Sequence, residues 1–115
     1  MRLDFHSPGL PLGTEHRAQA ERLVGFALSR LNGRVQRVEL RISPVAGSAE
    51  LACRVAVQLT AGSVVVEDSG LDLAALLQRS VARAGQAAQR QLAASRRDRR
   101  SWTTGDAGAA TRRPA

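Results

Sequence analysis

The stretch LDLAALLQRSVARAGQAAQRQLAASRR, Leu71 to Arg97, decides how this chain is read. At the helical step of about 100° per residue, Leu73, Leu77, Val81, Ala84, Ala88 and Leu92 fall on one side, which predicts a long amphipathic helix with that side buried. On the same wheel Arg79, Arg83, Arg90 and Arg97 lie within about 40° of one another, nearly opposite the apolar stripe, with Gln86 among them. No acid stands between Asp72 and Asp98. A face that serves only solubility usually carries mixed signs in i,i+4 pairs, so a row of arginines without acids favours an anionic partner over a merely solvated surface.

Upstream of this helix three segments alternate with the period of strands. Residues 35–43 put Val38, Leu40 and Ile42 on one face and Arg37, Glu39 and Arg41 on the other. Residues 51–59 put Leu51, Cys53, Val55, Val57 and Leu59 inward, and in residues 63–67 Val64 and Val66 continue that face before Asp68-Ser69-Gly70 is expected to break the strand. Ser69 or Asp72 is suited to cap the long helix. Nearer the N-terminus, residues 1–6 alternate as a first strand, and a loop with Pro8 and Pro11 follows. Thr14 is then placed to cap a helix whose stripe is Ala20, Leu23, Val24, Ala27, Leu28 and Leu31, with Asn32-Gly33 as its stop.

The resulting order is β-α-β-β-β-α. The first crossover is long enough for parallel pairing, and the remaining strands add as an antiparallel meander. Because each element has one apolar face, the packing expected is an α+β two-layer sandwich: a four-stranded sheet with both helices on one face. Residues 1–97 form one domain on this reading. Residues 98–115 lose all periodicity and are expected to be a disordered tail.

Length and composition narrow the function. A chain of 115 residues with two Phe, one Trp and no Tyr builds one small core from Leu, Val and Ala. The net charge of +7 is uneven: residues 1–68 hold eight Arg against seven acids, and residues 69–115 hold nine Arg against three. That asymmetry is the footprint of a polyanion binder. All 17 basic residues are Arg, which suits phosphate but is better accounted for by a coding bias toward G and C.

Catalytic groups are scarce. His6 and His16 are the only histidines and read as surface or packing residues, and the lone Cys53 falls on an inward strand face where a thiol is inert. No Gly-rich phosphate loop or metal-spaced cluster is present, so neither an enzyme, a cofactor, a metal nor a small-molecule substrate is expected. With no secretory leader and no apolar run of about 20 residues, a cytoplasmic protein without a membrane partner is expected. Trp102, a lone aromatic in the tail, is read as uncommitted.

The segment Val64-Val65-Val66-Glu67-Asp68, then Asp72-Leu73-Ala74-Ala75-Leu76-Leu77 with Arg79 and Arg83 on a long helix, resembles the ribosome hibernation-promoting factor family, which includes ribosome-associated inhibitor A. The resemblance spans roughly residues 1–97 and implies a domain similar to double-stranded-RNA-binding folds, of the family's short form. It further implies a monomeric factor that binds the small ribosomal subunit and its RNA, and inhibits or stores ribosomes under stress. Arg79, Arg83 and Arg90 match basic positions of the family's second helix, and Arg97, Arg22 and Arg30 complete the expected RNA contacts. Ala74 and Gln78 depart from the family pattern, which usually has a Tyr and an acid there, and the first helix offers only Arg17, Arg22 and Arg30 as cations. These departures keep open an alternative, a regulatory interaction domain that binds an acidic protein in place of RNA.

Overall fold

The computed structural model describes residues 2–10, 13–31 and 33–103, with side chains described as far as residue 94. Along it run β1 (Arg2–His6), α1 (Thr14–Ala27), β2 (Val35–Pro44), β3 (Leu51–Leu59), β4 (Gly62–Gly70) and α2 (Leu73–Thr103), in the order that the periodicity predicts. The four strands form one sheet in the order β1-β2-β3-β4. Leu3 and Phe5 of β1 lie beside Val38 and Leu40 of β2 in parallel register. β2, β3 and β4 pair antiparallel, with Leu40 opposite Val55 and Val55 opposite Val66.

The alternation decides which face is covered. Val38, Leu40, Ile42, Cys53, Val55, Val57 and Leu59 are all buried, while their neighbours Arg37, Arg41, Arg54 and Gln58 are exposed. Only one face of the sheet is therefore dry, and both helices close it. Ala20 and Val24 of α1 and Leu77, Val81, Ala84, Ala88 and Leu92 of α2 join the same core, with Leu73 partly buried at its edge.

The buried arc of α2 is wider than the expected stripe. Leu76 and Ser80 are fully buried on one flank. On the other flank Gly85 meets α1 so closely that a Cβ there would stand 3.1 Å from the carbonyl oxygen of Ala27. A helix that lies on a sheet and also touches a second helix is covered over more of its circumference than a single apolar stripe describes. Glycine at the crossing is what permits the approach.

Four expected ends shift. The N-cap of α1 is Gly13 and makes no side-chain capping bond, so Thr14 is the first helical residue and not the cap. At the other end, α1 stops at Ala27, and a 3₁₀ turn over Ser29–Leu31 follows. The tighter turn brings residues i and i+3 into line, which sends Leu28 and Leu31 together into the core. Gly33, in the left-handed region at φ +85°, then turns the chain into β2. β4 does not break at Asp68 but continues to Gly70, because β3 begins at Leu51 and offers a partner at every step: Cys53 to Asp68, Ala52 to Ser69 and Leu51 to Gly70. Asp72 caps α2, its carboxylate accepting from the Ala74 amide at 3.0 Å, whereas Ser69 belongs to the strand. α2 extends past Arg97 to Thr103, so the first residues expected in the tail are helical, and residues 104–115 lie outside the described part.

Leu77 has no solvent exposure and faces the sheet. Its replacement by Ala is expected to cost about 2–5 kcal/mol in chemical denaturation, as a large-to-small change in a closed core. A cost below about 1 kcal/mol would mean that α2 meets the sheet with a different face.

Candidate nucleic-acid interface

The longer β4 has a direct effect on the arginine row. Asp68 occupies the same alternation as Val64 and Val66, so it faces the helices from the end of the strand. There it takes the Arg79 guanidinium, Nε to Oδ2 at 2.6 Å, and an Arg83 nitrogen at 3.4 Å. Arg79 also donates to the Ser69 carbonyl at 3.0 Å and lies over Gly70. The row that lacks acids along the helix is thus supplied with one from the sheet. An i,i+4 rule has no means of finding a partner that arrives across the fold.

The carboxyl of Asp68 is held below its ordinary range, first by the bond from Arg79, then by the Ser69 amide at 2.8 Å, against a smaller opposing effect of desolvation. Arg79 is correspondingly raised by Asp68. These two groups clamp the end of β4 to α2, and Gln91 makes a second clamp by donating to the Ala61 carbonyl at 3.4 Å. Arg79 is consequently a brace between layers, while Arg83, whose contact is longer and whose side chain is 53% exposed, retains most of its guanidinium for solvent.

The other expected contacts are distributed over the helical layer. Arg90 of α2, Arg22 of α1 and Arg30 of the 3₁₀ turn are exposed and take part in no ion pair among the described residues. Arg97 lies on α2, and its side chain is outside the described part. The structure thus divides the described part of the row into Arg79, committed to the fold, and Arg83 and Arg90 on the wet side of the helix.

The outer sheet face has the opposite character. Arg37 pairs with Asp4 at 2.7 Å and lies 3.7 Å from Glu39, Arg2 meets Asp4 at 3.3 Å, and Arg54 approaches Glu67 at 3.8 Å. For Asp4, desolvation pushes the carboxyl up, but the bonds from Arg37 and Arg2 outweigh it and leave it lowered. Most of the charges on this face are held in these pairs, but Arg41, exposed opposite Arg54, makes no ion pair among the described residues. The helical layer holds more arginines without an ion pair among the described residues, Arg22, Arg30 and Arg90 being three of them.

Cys53 is buried, and desolvation pushes its thiol up, with Ser80 offsetting part of the rise. Among the described residues no group of three or more His, Cys, Asp and Glu is arranged to hold a metal. No described helix is long and apolar enough to cross a membrane.

One surface residue escapes the sequence reading. Phe26, one of only two phenylalanines, is 85% exposed near the end of α1, four residues after Arg22. The signal was its absence from the stripe of Ala20, Leu23, Val24 and Ala27.

The Asp68 clamp makes stability depend on acid in a defined direction. A carboxyl whose folded pKa is depressed contributes stability that is fully present above its unfolded value, near 3.9, and is lost as pH falls through the folded one. The thermal midpoint is therefore expected to fall below about pH 4. Asp68→Asn should lower the midpoint at pH 7 and shrink the acid fall, whereas equal midpoints at pH 7 would show that the clamp adds nothing.

No family model matches the sequence, and no curated protein is similar to it in sequence. Solved structures are similar in fold. The N-terminal domain of Protein Y from Thermus thermophilus superposes with a TM-score of 0.68 at 21% identity, covering 78% of this chain and 98% of that one. A ribosomal subunit interface protein from Coxiella burnetii gives a TM-score of 0.69 at 9% identity, with 81% and 99% covered. At these identities the likeness establishes the architecture: this chain has the fold of the Protein Y N-terminal domain.

Proposed function

We propose that this chain is a ribosome-associated factor that occupies the small subunit, binds its RNA and, without catalysis, inhibits or stores ribosomes under stress. The observation that carries the reading is the division of charge. Among the described residues the sheet face ties Arg2, Arg37 and Arg54 into ion pairs and leaves Arg41 unpaired, while the helical layer leaves Arg83, Arg90, Arg22 and Arg30 turned to solvent. Support also comes from two proteins of the same fold, one called Protein Y and the other a ribosomal subunit interface protein. A ribosomal partner makes the cytoplasm the place of action, and the protein acts as a monomer.

The mechanism is electrostatic. Guanidinium groups spread over one layer neutralise successive phosphates and release their counterions, which suits recognition of RNA by shape and backbone. Arg79 contributes by fixing α2 on the sheet, and Arg97 extends the row. A second reading, an acidic protein partner, is favoured by one observation only: Asp68 already takes one guanidinium of the row and part of another.

The test is a salt series on binding to purified small-subunit RNA. With four phosphate contacts the slope of log affinity against log salt is expected near −3, at about 0.7–0.9 per contact. The Arg83→Gln/Arg90→Gln double variant is expected to reduce that slope by about 1.5. A wild-type slope near zero would contradict the mechanism, and binding to an acidic protein in its place would establish the second reading.

A further inference from the structure

We infer that Phe26, set between Arg22 and Arg30, is a stacking platform for an unpaired nucleobase. The inference rests on the RNA-binding reading above and specifies what the helical layer takes: a single-stranded or looped nucleotide as well as duplex backbone.

The argument begins with what exposure of Phe26 forgoes. Among the described residues nineteen hydrophobic side chains are buried and none is aromatic, Phe5 being only partly buried against them, although a phenylalanine offers the largest apolar area per residue in this chain after Trp102. Phe26 nevertheless stands 85% in solvent. Its backbone is well held: the Ser29 hydroxyl donates to its carbonyl at 3.1 Å, and the next residue, Ala27, abuts α2 at Gly85. The ring is therefore presented from a fixed point where the two helices cross.

Its neighbours identify the occupant. Arg22 lies one turn earlier on the same face of α1, about 6 Å along the axis at the helical rise, and Arg30 is exposed four residues after the ring in the chain, in the 3₁₀ turn that follows the helix. A base stacked on the ring carries phosphates on both sides, and guanidinium groups at both sides match them. Aromatic stacking between cationic side chains is the general means of holding single-stranded nucleic acid.

The same surroundings argue against a second copy of the chain. Among the described residues the other exposed large hydrophobics, Val65 and Leu71, lie on β4 and in the turn before α2, so Phe26 belongs to no described apolar patch of the size that protein interfaces need. Pairing two such surfaces would also bring Arg22 and Arg30 of both copies together.

The test compares two synthetic RNAs of equal phosphate count, a hairpin with an unpaired loop and a blunt duplex. Phe26→Ala is expected to weaken hairpin binding about 5- to 100-fold with the salt slope unchanged, and to leave duplex binding unaltered. Phe26→Tyr should restore the loss, and Phe26→Leu should not. Because the side chain is exposed, these variants keep the fold. In a Trp102→Phe background, Phe26→Trp should lose fluorescence on adding the hairpin but not the duplex. Unchanged hairpin affinity in Phe26→Ala, while Arg83→Gln/Arg90→Gln weakens both RNAs, would overturn the stacking site and leave RNA binding standing. Failure of the wild-type chain to bind either RNA would overturn both. A change confined to sedimentation of the free protein would assign Phe26 to self-association and overturn the proposal.

Discussion

The domain depends on one long helix covering a sheet face made of small aliphatic side chains. Valine, leucine, isoleucine and one cysteine make the inner face, with Phe5 partly buried at its edge on β1, and α2 answers with Leu76, Leu77, Val81, Ala84, Ala88 and Leu92. None of these side chains is bulky enough to anchor the helix alone, so the buried area has to come from length and close approach. Gly85 against Ala27 and the alanines at 84 and 88 provide that approach. Polar clamps then fix the helix along its length: Arg79 on Asp68 and Ser69 early in α2, and Gln91 on Ala61 further along.

This arrangement sorts the charges by layer. The strands alternate strictly, so whatever leaves the core on the sheet side lands on one plane, where residues opposite or diagonal to one another can pair: Asp4 with Arg37, and Arg54 with Glu67. A helix with few acids has no such neighbours. Among the described residues an acid reaches the row only where a strand runs on beneath it, at Asp68, and there the ion pair serves the fold. The arginines beyond that reach keep their charge for whatever meets the helical layer.

Much of the fold is legible in the sequence because both periods are clean. The bounds of β3 follow from its alternation alone, and the stripe on α2 identifies Leu77 through Leu92 as core. What escapes is set by contacts between elements. The length of β4 depends on the partner that β3 offers, so the Asp68-Ser69-Gly70 turn signal is overridden by ladder pairing. Leu76 and Ser80 are buried because α2 is covered on more than one side, which a single wheel does not show. For the candidate site, composition locates the excess charge on the helices but has no way of separating Arg79, which is spent on the strand end, from Arg90, which is not. Phe26 is missed because a residue left out of a stripe attracts no attention until its exposure is seen.

The central claim is that the helical layer engages the small ribosomal subunit through its spare arginines. Sedimentation of the purified protein with small subunits through a sucrose cushion, at low and high salt, tests it most directly. The account requires retention at low salt that declines as salt rises and is weaker for Arg83→Gln/Arg90→Gln. Absence from the subunit pellet at low salt, by a protein that remains folded, would contradict it.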